Sequence, residues 1–392
     1  MAAPIINVVE PPRKFPSLSI NGARPAHHLN DTKSKFYPPW PSFRYQDRSQ
    51  WFTVWRPTFM FHGSASIPPD VKKRIPSQVP TWGSALENKS QAKATWLGHA
   101  CYLLELPIPP GASRGMRIIF DPVLSYRCSP SQRIGPARYT DAPCKAEEIP
   151  AVDAIVLSHD HYDHTDVPTL RALLANPASA AHVFVSLNNK DLFLNEVKLP
   201  AERVHEFEWW DQRIITVSLG KDQSVRARIT STPSQHTSGR TGWDRWHALW
   251  SAWVIEELPD INSDTTVGKR LYFAGDTGYR TVRKGDDEDK VPVCPAFAEV
   301  GERFGGVDVA LIPIGAYAPR TMWSNLHADP ADAVRIMKDV KAKRALAMHW
   351  GTWSLTAEPV LEPPQVLMME CKAAGIGEDE FLVPALGETI LF

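Results

Sequence analysis

The chain has 392 residues, 43 Lys and Arg against 44 Asp and Glu for a net charge of −1, and 43% hydrophobic content. That length fits one large domain or two ordinary ones with ample core. The near-neutral balance excludes the basic footprint of a generic nucleic-acid binder, and the normal apolar content without a short repeat excludes collagen-like and low-complexity architectures. Five scattered cysteines (Cys101, Cys128, Cys144, Cys294, Cys371) form no CxxC pair, which argues against a disulfide scaffold and a thiolate zinc site. The N-terminal MAAPIINVVEPPRKFPSLSI lacks a basic segment followed by an apolar run, so no signal peptide is expected. No stretch approaches the ~20 apolar residues of a transmembrane helix, and the expectation is a soluble or peripheral intracellular protein.

The 35 prolines and 14 tryptophans are the unusual figures. Residues 1–90 are rich in Pro and aromatics and poor in periodicity, which predicts an irregular extension packed on a core formed by residues 91–392. Within it, residues 36–61 hold ten aromatics in 26 positions. These rings either pack on the catalytic domain or present an Arg-dotted surface to lipid. From residue 94 onward the pattern turns regular. ATWLGHACYLLEL (94–106), MRIIFDP (116–122) and VDAIVLS (152–158) read as strands. A helix is predicted over 166–176 and a strand over 182–186. Strands follow at 226–234, 249–257, 269–275 and 307–314, then a helix at 330–340, a strand at 344–350 and a helix near 364–374. This succession predicts a two-sheet α/β sandwich.

Chemistry gathers at the strand ends. After VDAIVLS the chain reads HDHYDH, which places His159, His161, Asp163 and His164 in one short loop. With only 13 histidines in the chain, three in six residues are a metal signal rather than a polar turn. Imidazole and carboxylate without thiolate suit zinc. A pair of ions is the expectation, with His159 and His161 serving one, Asp163 and His164 the other. His236 after ITSTPSQ, Asp276 after LYFAG and His349 after the apolar run of ALAM each end a further strand. Any one alone reads as a satisfied buried residue or a turn cap; together His236 completes a three-histidine set, His349 joins Asp163 and His164, and Asp276 bridges.

In this order those ligands resemble the metallo-β-lactamase fold. TWLGHA, FDPVLSYRCSPSQ, TPSQHTSGR, LWSAWVI, YFAGDTGY, CPAFAEVGERFG, LIPIGAYAPR, HADPADAVRIMKDV and MHWGTWSL narrow the resemblance to the N-acylphosphatidylethanolamine-hydrolysing phospholipase D family, from about residue 90 to the C-terminus. The resemblance implies a four-layer αββα sandwich and two zinc ions on the seven residues above. It implies hydrolysis of N-acylphosphatidylethanolamine to N-acylethanolamine and phosphatidic acid, by attack of a metal-bridging hydroxide on phosphorus. Asp163, Asp276 and His327 are then catalytic, and Gln132 with His327 borders the substrate. His327 also reads as a turn residue ahead of a helix, and His99 of LGHA, read either as a support to the ligands or as a simply buried residue, stays outside the ligand set. A membrane phospholipid is the implied partner, with peripheral membrane contact, a homodimer as a family expectation only, and no nucleic acid. Departures from the family pattern are Arg133 after Gln132, the charged stretch 281–292, and the first 90 residues. A lactonase or thioesterase on the same metal site is the competing reading. A silent lipid-binding protein would predict a damaged ligand set, and all seven positions are intact.

Overall fold

The computed structural model describes residues 3–12, 15, 24–45, 65–84, 88–220, 223–241 and 243–392. In chain order its strands are β1 (Ile5–Val9), β2 (Lys93–Gly98), β3 (Cys101–Glu105), β4 (Arg117–Phe120), β5 (Ala154–Val156), β6 (His182–Ser186), β7 (Val204–Phe207), β8 (Gln212–Gly220), β9 (Gln223–Thr232), β10 (Ala252–Glu257), β11 (Arg270–Phe273), β12 (Val307–Pro313), β13 (Ala342–Met348), β14 (Phe381–Leu382) and β15 (Thr389–Leu391). The longer helices are α1 (Val167–Ala175), α2 (Ala296–Phe304), α3 (Pro330–Asp339) and α4 (Glu362–Ala373). One sheet runs β15-β2-β3-β4-β5-β6-β7 and the other β1-β8-β9-β10-β11-β12-β13-β14.

Strand alternation sorts the side chains into two cores. Ile118, Phe120, Ala154 and Val156 face the second sheet, while Ile119 and Ile155 face outward onto α1 with its Leu170 and Leu173. Between the sheets Phe120 stacks on Phe273 at 4.7 Å and Phe207 meets Trp253 edge-on at 5.1 Å. Helices α2, α3 and α4 cover the far face with Phe297, Val300, Ile336 and Leu367. The result is the layered αββα sandwich that the resemblance implied. Both sheets mix antiparallel and parallel pairing, so β2, β4 and β5 run in one direction in the first sheet and β9, β11, β12 and β13 share one in the second. Their C-terminal ends therefore lie on one edge of each sheet.

Three expectations change. The single strand at 94–106 is two, β2 and β3, because Gly98 (φ 104°) and His99 (φ 50°) turn the chain between them. The extension is not wholly irregular: the β-branched run Ile5–Val9 adds as an edge strand to β8. Strands β7 and β8, helix α2 and the short β14 and β15 went unread; the last two have only two or three residues each and no periodicity to show.

Residues 24–45 are fastened to the sandwich. Phe36 and Phe43 are buried in its core, so this half of the aromatic stretch packs; residues 46–61 lie outside the described residues. His27 and His28 place their Nε2 atoms 2.7 and 2.5 Å from the two oxygens of Glu208, and His27 stacks on Trp209 at 4.1 Å. Burial lowers the pKa of His27. Burial alone would raise Glu208, but its hydrogen bonds from the two histidines outweigh this and hold it at about 2. Both shifts mean the folded state binds fewer protons, so the clamp loses stability as pH falls, through His27 below 6.5 and through Glu208 from 4.5 to about 2. Hydrogen exchange of residues 24–45, corrected for intrinsic rate, should accelerate on acidification through that window. Glu208→Gln should remove the portion below pH 4.5.

Candidate metal centre

The strand ends bring polar residues to one rim, where the chain leaves the strand sharply. His99 after β2, Asp121 after β4 and His349 after β13 adopt left-handed backbone, with φ of 50°, 38° and 63°. Such conformations cost of order 1–3 kcal/mol each and persist where the surroundings impose them. After β5, His161 accepts backbone hydrogen bonds from His164 (3.0 Å) and Thr165 (2.8 Å), closing HDHYDH into one tight turn. After β11, Gly275 has φ 58°, and a Cβ there would lie 2.5 Å from that of Ser158. Only glycine lets Asp276 approach the turn so closely.

All seven residues expected as ligands converge. His159 Nε2 lies 2.8 Å and His236 Nε2 3.3 Å from His161 Nδ1. Asp163 Oδ2 lies 3.6 Å from His164 Nε2 and 3.8 Å from His349 Nε2. Asp276 stands between the sets: Oδ2 is 3.2 Å from His164, 3.7 Å from His236 and 4.0 Å from His159, and Oδ1 is 2.9 Å from His349. Yet Asp276 Oδ1, His164 Nε2 and both ring nitrogens of His349 are buried without a hydrogen-bond partner. Lone pairs of oxygen and nitrogen aimed at common points, rather than donor at acceptor, suit divalent cations.

The electrostatics agree. Burial opposes ionisation of Asp163 and Asp276, but positive charge on His164 and His349 outweighs it and holds both carboxyls well below the usual range. Burial, reinforced by neighbouring imidazoles, keeps His159 well below its ordinary value, and His236 is depressed likewise, its burial only partly offset by Asp276. Burial would lower His164 and His349 too, but Asp276 raises both, His349 to about 9. The two carboxylates thus demand positive charge, met by protons or by bound cations.

An outer ring of residues orients these side chains. Asp121 accepts from Ser158 N (2.7 Å) and Ser158 Oγ (2.5 Å), and its Oδ2 lies 2.6 Å from His164 Nδ1. Ser158 Oγ in turn sits 2.8 Å from His159 Nδ1. His236 Nδ1 donates to the Leu326 carbonyl at 2.9 Å, leaving Nε2 toward Asp276. Asp121, Ser158 and His99 were not among the expected site residues. The signal for Asp121 was present, since it ends the apolar MRIIF as Asp276 ends LYFAG.

His327 joins the cluster from the loop between β12 and α3, its Nδ1 3.8 Å from Asp276 Oδ2 and its ring stacked on His349 at 5.4 Å. Burial lowers its pKa to about 4, so the ring is neutral at pH 7. That loop is held by the charged stretch 281–292, a docked strap. Glu288 pairs with Arg320 at 3.1 Å and Arg280 at 3.5 Å, and Asp286 with Arg44 at 3.0 Å. Gln132 is not brought to the cluster: its amide oxygen and nitrogen bond the Arg127 backbone at 2.9 and 2.8 Å, bracing the loop after β4.

Residues 116–350 match the family described as the beta-lactamase superfamily domain. The chain is 33% identical over 329 residues to N-acyl-phosphatidylethanolamine-hydrolyzing phospholipase D 1 of Caenorhabditis elegans, covering 82% of each protein. It is 29% identical to the mitochondrial N-acyl-phosphatidylethanolamine-hydrolyzing phospholipase D of Saccharomyces cerevisiae, across 91% of this chain and 75% of the yeast protein. Among solved structures, an isothiocyanate hydrolase from Delia radicum gut bacteria superposes with a TM-score of 0.52 at 19% identity, over 76% of this chain and 99% of the other, which reports a shared fold.

Asp121→Ala should be costly, because it strips the buried Ser158 amide and hydroxyl of their acceptor. At roughly 1–3 kcal/mol for each orphaned group, the loss should appear as a lower denaturation midpoint in urea.

Proposed function

We propose that this chain, which belongs to the N-acylphosphatidylethanolamine-hydrolysing phospholipase D family of the metallo-β-lactamase superfamily and is a metal-dependent hydrolase, cleaves N-acylphosphatidylethanolamine to N-acylethanolamine and phosphatidic acid using two zinc ions. The observation that carries the reading is the pair of imidazole-rich sets meeting at the one carboxylate of Asp276. His159, His161 and His236 would hold one ion, and Asp163, His164 and His349 the other, with Asp276 shared. Nitrogen and oxygen donors without thiolate fit zinc. Bound there, the ions would supply Lewis acidity toward a phosphodiester and a water of lowered pKa.

The chain's own residues prepare the site for that chemistry. Asp121 and Ser158 fix the ring orientations of His164 and His159, and the Leu326 carbonyl fixes that of His236, so little reorganisation is needed on substrate binding. His327 is neutral and its Nδ1 has no hydrogen-bond partner, so this atom can take a proton from water and hand it to the departing alkoxide. The similarity to the worm and yeast proteins supports the lipid as substrate.

A lipid surface as partner draws support from the loops bordering the centre. Arg240 donates to the Asp160 and Thr165 carbonyls beside the metal turn, and the same loop carries Trp243, 97% exposed. Tyr126 (57% exposed) and Ile134 (71%) lie on the loop after β4, where the Tyr126 carbonyl accepts from Trp353 Nε1 at 3.2 Å, and Trp353 meets His99 at 5.0 Å. Exposed rings and aliphatics among Arg127, Arg133, Arg240 and Arg245 match an acyl and phosphate boundary. No helix among the described residues is long and apolar enough to cross a membrane.

Mass spectrometry of zinc-loaded protein with N-acylphosphatidylethanolamine should reveal N-acylethanolamine and phosphatidic acid together. Asp276→Ala should lower the rate about a thousandfold or more. Release of lysolipid or fatty acid instead would replace the phosphodiesterase reading with carbonyl hydrolysis. In liposome flotation, the double change Trp243→Ala and Ile134→Ser should leave the protein at the bottom of the gradient while the parent floats; equal flotation would remove these loops from the membrane reading.

A further inference from the structure

We propose that His99 is a positioning residue of this centre, holding Asp163 through Nε2 while water in a pocket behind the histidines holds its Nδ1; the inference rests on the two-ion reading above. His99 is fixed at every polar atom of its backbone. Its N–H donates to Thr352 Oγ1 at 2.8 Å, and its carbonyl accepts from His349 N and Trp96 Nε1, both at 2.9 Å. One residue therefore touches the backbone of one expected ligand and the carboxylate of another, since His99 Nε2 lies 3.1 Å from Asp163 Oδ2. The ionised carboxylate only accepts, so Nε2 carries the hydrogen and Nδ1 of the neutral ring is a bare lone pair in need of a donor.

The pocket provides for that need. A cavity of about 20 Å³ is lined by His99, His349, Trp350 and Ser354 among others. In each of these four side chains an atom is buried without a protein partner: His99 Nδ1, His349 Nδ1, Trp350 Nε1 and Ser354 Oγ. The volume passes the roughly 10–15 Å³ that one water requires. The hydrogen-bonding types of the lining also suit a water. If His349 turns a bare Nε2 toward Asp276 and Asp163, its Nδ1 carries a hydrogen. The walls then include two donors, His349 Nδ1–H and Trp350 Nε1–H, one bare acceptor, His99 Nδ1, and the Ser354 hydroxyl, which can donate or accept. A water accepts two hydrogen bonds and donates two. Asp163 and His349, both expected at the same ion, are thereby oriented through one residue and one solvent site, and the metal-facing nitrogen of His349 is left bare.

The test is calorimetric titration of chelator-stripped protein with zinc alone. The parent should take up two equivalents. His99→Leu should weaken one of them about 10- to 100-fold and leave the other within twofold, and His99→Gln, whose amide can still donate to Asp163, should recover most of the loss. A parent with two zinc ions and a His99→Leu variant of equal affinities overturns this inference alone, as does a His99→Gln variant as weak as His99→Leu. A parent that binds no zinc overturns the two-ion reading and this inference with it. Should His99→Leu fail to fold, nitrogen-15 NMR of the parent decides. A hydrogen on Nε2 and a bare Nδ1 at His99 are expected, and the opposite tautomer overturns the proposal.

Discussion

Two carboxylates, the buried Asp276 and the partly exposed Asp163, lie in a ring of imidazoles, and this concentration of charge governs the rest of the molecule. A carboxylate withdrawn from water is tolerated only beside compensating positive charge or donors. Here both are surrounded by histidine nitrogens at 2.9 to 4.0 Å. Bringing so many polar groups to one place sets a severe requirement on the backbone. Several chain segments must end at one rim and none may drift.

The sandwich meets this requirement by direction. Strands β2, β4, β5, β9, β11 and β13 deliver their last residues to one edge, and strained turns at His99, Asp121 and His349 swing the next side chain inward. The rigidity that permits such turns comes from the core between the sheets, where Phe120, Phe273, Phe207 and Trp253 interlock. Trp253 ties packing to the site directly, because its Nε1 donates to the Leu157 carbonyl at 3.0 Å, two residues before His159.

A second layer of hydrogen bonds reaches the centre from far along the chain. Ser42 donates to the Gln235 side chain at 2.6 Å, next to His236, and Thr281 donates to the Ser42 carbonyl at 2.6 Å. The N-terminal segment and the charged strap thus brace the same wall that carries His236 and His327. Buried ion pairs do little for stability on their own but specify one arrangement of the loops they join. Arg280, Arg320 and Asp332 occupy that position beneath the strap.

The sequence by itself determined the residue types of the centre and their grouping. Three histidines and an aspartate within six residues, followed by His236, Asp276 and His349 at further strand ends, are local patterns, and the strand ends before His159, Asp276 and His349 are visible where the apolar run stops. The motif run likewise announced the layered sandwich. Only the tertiary structure decided what depends on contacts between distant segments. Asp121 looks like any aspartate after a strand until Ser158 and His164 close on it. His99 reads equally as a support to the ligands or as one more buried residue until the hairpin at Gly98 sets it between Asp163 and the His349 backbone. Gln132, placed beside substrate by resemblance, is by contrast held locally, both ends of its amide bonding the backbone of Arg127 five residues away. The identity of a ligand follows from donor chemistry, which composition and spacing reveal. The orientation of His164 and His236 follows from partners 43 and 90 positions away, Asp121 and Leu326, which no local pattern encodes.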